Sequence, residues 1–146
     1  MPQLKFSRNV SFTPQQMLDL VSDLATYPEF VPNCSDMEIE QEEGRPLVAC
    51  TARMHVKFGP INQSYASDVD IDRDAMTVSA TSRDSPFSHL DSQWQFHATP
   101  EGARTQFDID FEFSNRLIAA VAEPAFANIQ SEVLDAFIAE AKRRYA

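Results

Sequence analysis

Three histidines, two cysteines and a run of alternating aspartates are the side chains in this 146-residue sequence whose types suit catalysis or metal binding. Their spacing suits neither. His55, His89 and His97 fall on the polar phase of alternating segments or in a turn. None stands at ligand spacing from a second histidine or a carboxylate, so all three read as surface residues. Asp68, Asp70, Asp72 and Asp74 have the spacing that opens a calcium loop. Arg73 and Ser79 then occupy the sixth and twelfth positions, where such a loop needs glycine and glutamate. With Val69 and Ile71 between the acids, the run reads as the wet face of a half-buried strand. Cys34 and Cys50 are too few for a disulfide framework or a thiolate metal site, and no base adjoins them. Tyr65 and Ser67 share a face, but no inward histidine completes a triad. Three glycines leave no loop to cradle a phosphate. The expectation is a protein with no catalytic set, no metal and no required cofactor. The groups left over are polar ones on an otherwise apolar phase: Gln63, Tyr65, Ser67, Ser92 and, on the last helix, Glu140.

Charge narrows the partners. Twelve Lys and Arg against 22 Asp and Glu give a formal net charge of −10, which repels phosphate backbones and demotes direct nucleic-acid binding. It also opposes steady residence on an anionic membrane, though not transient contact through an apolar patch. Met1 to Thr13 contains no hydrophobic signal core, and no stretch approaches the ~20 apolar residues of a membrane span. The expected protein is cytoplasmic, at most peripheral at the inner membrane, with residues 1–146 forming a single domain.

The elements that must position those groups follow from punctuation and period. Leu4, Phe6 and Val10 alternate as in a strand. Thr13, Pro14 and Gln16 then form a capping box for a helix carrying Met17, Leu20, Val21 and Leu24. Tyr27 to Pro32 predicts one further short helix or turn. From Cys34 to Phe113 the period is two, in six runs with one wet and one dry phase, which predicts an antiparallel sheet of seven strands. Asn115 to Tyr145 reads as one long helix, capped by Ser114 or Asn115 and ending in Lys142, Arg143 and Arg144. This is an α+β architecture in which a curved sheet wraps the long C-terminal helix, with two short helices after the first strand.

The dry phase is rich in aromatics, and a solid core would explain each one alone. Ala52, Gln63, Ser67, Ala80 and Ser92 share that phase and leave room, the mixture expected of a small-molecule pocket. The predicted lining is Met54, Val56 and Phe58, then Gln63, Tyr65 and Ser67, then Val78. Trp94 and Phe96 follow, with Phe107, Ile109 and Phe111 beside them. The helix contributes Val121, Phe126, Ile129 and Val133. Residues 117–127 are apolar nearly all round, more than a core contact explains. Pro124 interrupts helical hydrogen bonding there. Leu117 and Pro124, together with Pro28, Phe30 and Pro32, are therefore the expected gate.

Four segments carry a family resemblance. Tyr27-Pro28-Glu29-Phe30-Val31-Pro32-Asn33-Cys34 resembles the Tyr-Pro-x-Phe-x-Pro-x-Cys signature of the coenzyme-Q-binding branch of the polyketide-cyclase/START-like superfamily. Phe58-Gly59-Pro60 with Tyr65 to Val69 is similar to it as well. So are Ser85 to Leu90 with Trp94-Gln95-Phe96, and Asp110 to Leu117. Asn33 and Ser85 depart from the family pattern, which often has Trp and Gly there. The resemblance implies a helix-grip (START-like) fold and non-enzymatic binding of ubiquinone or a related prenyl lipid, in support of respiration or quinone synthesis. It also implies an alternative: relatives include ribosome-association toxins, so the chain could block subunit joining, touching a basic ribosomal protein rather than RNA. A cyclase or hydrolase on the same fold is a third reading, with Glu140 as its sole inward acid.

Overall fold

Thr13 starts the first helix as its sequence context predicts. Its Oγ1 accepts from the Gln16 backbone N–H at 3.1 Å, and Gln16 Oε1 accepts from the Thr13 N–H at 2.9 Å. Helix α1 (Pro14–Ser22) buries Met17, Leu18, Leu20 and Val21 completely. A 3-10 turn (Leu24–Thr26) and α2 (Tyr27–Phe30) follow, and Tyr27 donates its hydroxyl to the Val21 carbonyl. The computed structural model describes residues 3–40, 49–58, 61–84 and 87–145, with only the backbone described at 49, 58 and 61. Gly59-Pro60 and Ser85-Pro86 lie outside the described residues.

The seven strands are β1 (Gln3–Val10), β2 (Cys34–Glu40), β3 (Ala49–Phe58), β4 (Ile61–Asp72), β5 (Thr77–Ser82), β6 (Phe87–Thr99) and β7 (Gly102–Phe113). They form one curved antiparallel sheet in the order β1-β7-β6-β5-β4-β3-β2. Hairpin neighbours pair locally, whereas β1 closes onto β7 with Phe6 opposite Phe107. Met76 sits in the turn before β5 at φ +57°, where its carbonyl accepts from Phe96 N–H at 3.0 Å. Gly102 is required where it stands: its φ is +154°, and a Cβ there would lie 2.4 Å from the Val10 carbonyl oxygen.

Helix α3 (Arg116–Tyr145) covers the dry face. Asn115 is its cap, with Oδ1 accepting from Leu117 N–H at 2.7 Å. The helix continues through Pro124, whose missing N–H leaves the Ala120 carbonyl without its helical donor. Its C-terminal half packs hard on the sheet and on α2. Leu134, Phe137 and Ala141 are fully buried, and Phe137 stands edge-on to Trp94 with ring centres 5.0 Å apart. Its N-terminal half closes down on Phe111 through Phe126, 4.1 Å between centres. Helix and sheet therefore touch through both halves of the helix.

Candidate functional site

A cavity of about 210 Å³ lies among sheet, α2 and α3. A single water needs roughly 10–15 Å³ by the same kind of measure, so this is more than a packing defect. Cross-strand register explains the hollow. Ala52 lies opposite Ser67, and Ala80 lies opposite Ser92 and Val69, so small side chains meet where large ones would fill the space. Met37, Met54 and Val56 form one wall. Val69, Val78, Trp94, Phe107 and Ile109 form the floor, and Leu24, Tyr27, Val31, Pro32 and Asn33 close one side. Phe87, Leu90 and Phe113 stand at the strand ends, and α3 supplies Ile118, Ala122, Phe126, Ile129, Gln130, Val133 and Phe137. Among the described residues that line it there is no Asp, Glu, His, Lys or Arg.

Its polar groups are few and poorly partnered. Ser67 is only 9% exposed, and its hydroxyl has no hydrogen-bond partner among the described residues. The Tyr65 hydroxyl donates only to the Met54 thioether at 3.5 Å, a weak acceptor, and burial pushes its phenol well above the ordinary value. Ser92 Oγ reaches the Ala80 carbonyl at 3.4 Å. The Gln130 amide has no side-chain hydrogen bond among the described residues. Asn33 holds φ +66°, a left-handed conformation that asparagine tolerates and tryptophan does not, and its carbonyl accepts from Lys57 N–H at 2.9 Å.

The structure brings together Met54, Val56, Tyr65, Ser67, Val78, Trp94, Phe107, Ile109, Phe126, Ile129, Val133 and Pro32 around this space. Other expected positions fall elsewhere. Val121 is 46% exposed on the outer side of α3, because the helical phase facing the cavity runs Ile118, Ala122, Phe126. Phe111 is buried behind the wall under Phe126, and Phe96 is buried beside Trp94 at 6.2 Å. Gln63 shares the inward phase of β4 but does not reach the cavity. The Phe58 side chain lies outside the described residues. Of the expected gate, Leu117 (79% exposed) and Pro124 face outward, and Pro28 does not reach the cavity. Phe30 packs edge-on against Phe137 at 5.1 Å. Ile118, Ala122, Gln130, Phe87 and Leu90 were not foreseen. An all-apolar segment gives no phase to choose Ile118 over Val121.

The titratable groups outside the cavity also need correcting. Glu140 is buried, but it bonds Arg143 and Arg144 instead of facing a ligand; those guanidinium hydrogen bonds push its carboxyl down to about 2. Arg144 continues to Asp23 Oδ2 at 3.0 Å and Thr26 Oγ1 at 3.1 Å, and lies over the Phe30 ring. His89 sits within β6 rather than in a turn, with Nε2 3.0 Å from Asp110 Oδ1. His55 Nε2 is 3.1 Å from Glu38 Oε1, and with Asp36 the three place one ligand atom each within 4.8 Å on the exposed face. Both histidines therefore have carboxylate neighbours across strands, which spacing along one strand conceals. Burial raises both thiols, Cys34 to about 11, which suits small core residues and opposes nucleophilic reactivity. No helix among the described residues is long and apolar enough to cross a membrane.

Residues 10–138 match the family model described as polyketide cyclase / dehydrase and lipid transport. The chain is 31% identical over 147 residues to the ribosome association toxin RatA of Vibrio cholerae, covering 99% of both. It is 26% identical to the mitochondrial coenzyme Q-binding protein coq10 of Schizosaccharomyces pombe, covering 95% of this chain and 86% of that one. Among solved structures, the Zhui aromatase/cyclase of Streptomyces sp. R1128 superposes with a TM-score of 0.87 at 15% identity, covering 99% and 96%. A START superfamily protein of Mycobacterium smegmatis gives 0.79 at 14%, covering 97% of each. At these identities the two structures show a shared fold.

Proposed function

This chain belongs to the polyketide cyclase / dehydrase and lipid transport family, and we propose that it binds and transfers ubiquinone or a related neutral prenyl lipid without altering it chemically. The observation that carries this reading is the uncharged cavity. A fatty acid or phospholipid head group would need a cation there, and acid–base catalysis would need a group that titrates near neutral pH. The described lining offers no cation, and burial raises the phenols of its titratable residues, Tyr27 and Tyr65, away from that range. Glu140, the one acid a cyclase reading could use, is committed to two arginines. Each buried methylene of a prenyl tail contributes ~0.8 kcal/mol, so affinity needs no charged contact. At about 210 Å³ the space falls below the ~300–1,000 Å³ of typical ligand pockets, so a ring and the first tail units fit inside while a longer tail leaves past α3. The exposed Leu117 and Val121 beside that exit offer transient membrane contact. Solvent extraction of the purified protein followed by mass spectrometry tests the proposal. A co-purifying quinone or prenyl lipid is expected, and a protein that neither retains nor accepts any hydrophobic ligand ends it.

A second reading is favoured by the 30–31% identity to ribosome association toxins. The charge of −10 then directs contact to a basic ribosomal protein rather than to RNA. Sedimentation with ribosomal subunits through a sucrose gradient separates the two, since a lipid carrier stays at the top.

A further inference from the structure

We infer that the ligand enters with a flat polar ring leading, and that Tyr65 and Ser67 donate hydrogen bonds to two acceptor oxygens on that ring. This rests on the ligand-binding reading above and adds an orientation and a chemical class to it.

The two hydroxyls are the under-satisfied donors that β4 presents to the cavity. Ser67 has no partner while nine-tenths buried, and Tyr65 has only a sulfur. Buried polar groups in folded proteins are almost always hydrogen-bonded, so a partnerless hydroxyl lining a cavity marks a place for a ligand atom. Both hydroxyls can donate, so each can bind an acceptor on the ligand, and the uncharged surroundings favour neutral ones such as carbonyl or ether oxygens.

Position gives the direction. Tyr65 meets Phe87 edge-on at 5.1 Å, and Phe87 pairs with Phe113, three residues before α3 begins. Ser67 lies two residues further along β4, roughly 7 Å inward, ahead of the fully lined end formed by Val69 and Val78. Trp94 and Phe107, stacked 4.3 Å apart, give that depth a flat aromatic floor. Asn33 stands at the other extreme, at the start of β2 against Lys57. A ring with oxygens on opposite edges satisfies Tyr65 and Ser67 together while its tail points toward Asn33 and Ile118.

Trp94 is the only tryptophan and lines the cavity, so its fluorescence reports occupancy. The test compares a decyl-substituted dimethoxybenzoquinone, read by quenching, with decylbenzene, read by competition against it. Ser67→Ala and Tyr65→Phe are each expected to weaken the quinone about five- to tenfold and to leave decylbenzene unchanged. Asn33→Gly, which removes an amide from the tail end of the lining, is expected to affect the quinone and decylbenzene alike. Each hydroxyl deletion is nearly isosteric, and unchanged thermal midpoints verify folding, so either variant decides alone. Equal losses for both probes or undiminished quinone affinity in Ser67→Ala or Tyr65→Phe, or a quinone-specific loss in Asn33→Gly, overturns the orientation. Wild-type protein that binds neither probe overturns the ligand-binding reading itself.

Discussion

Glu140 stays ionised far below the usual carboxylate range because Arg143 and Arg144 bond it in a buried setting. Its folded value of about 2 lies under the ordinary 4.5, so the unfolded chain takes up the proton first as pH falls. The stabilisation is therefore complete above pH 4.5 and is lost progressively down to pH 2. Glu140→Gln is expected to cost about 2 kcal/mol at neutral pH. It should also flatten the fall in thermal midpoint between pH 4.5 and 2, which melts across that range would check. Asn33 supports a second prediction at this scale. Asn33→Ala forces a Cβ-bearing residue without asparagine's local hydrogen bonding into φ +66° and should lose about 1 kcal/mol. Asn33→Gly should lose nothing, with denaturant midpoints as the readout. The departure from tryptophan at this position looks arbitrary in the sequence and becomes reasonable once the dihedral is known.

At the scale of elements, Pro124 deprives the Ala120 carbonyl of its helical donor, yet α3 continues through it. A helix that continues across a missing bond is weakened there. Pro124→Ala is expected to raise stability by about 1–3 kcal/mol and to slow ligand exchange, measured by Trp94 quenching in stopped flow. Faster or unchanged exchange removes Pro124 from any gating role. The strands, the capping box and the Asn115 cap were legible because each depends on local chemistry: period two, a Thr-x-x-Gln pair, an asparagine before an apolar run. The roof of the cavity was not. Residues 117–127 are apolar on every side, so nothing local distinguishes the inward Ile118 and Ala122 from the outward Val121. The His89–Asp110 and His55–Glu38 pairs were hidden for a related reason, since register between strands is a tertiary fact. Ser67, Tyr65 and Trp94 could be read as inward from alternation alone. That Phe111 lies behind the wall while Phe107 lies in it depends on where Phe126 lands.

For the whole molecule, an uncharged cavity contrasts with an acidic composition, and Leu117 and Val121 form an exposed apolar patch on α3. Replacing both residues with aspartate should leave folding and closed-cavity affinity intact, because both side chains face solvent. Transfer of a quinone from phosphatidylcholine vesicles should slow severalfold, and an unaltered transfer rate would remove the patch from the route. The strand order has a separate consequence for how the chain comes into being. Among the described elements, five strands are made between β1 and its neighbour β7, and the helix that lids the sheet follows β7. At ~5–20 residues per second, the oily trough stands uncovered on the nascent chain for the few seconds it takes to make α3. A greasy guest present at that moment can settle onto the open sheet before the lid arrives, so first loading need not use the route by which later cargo comes and goes.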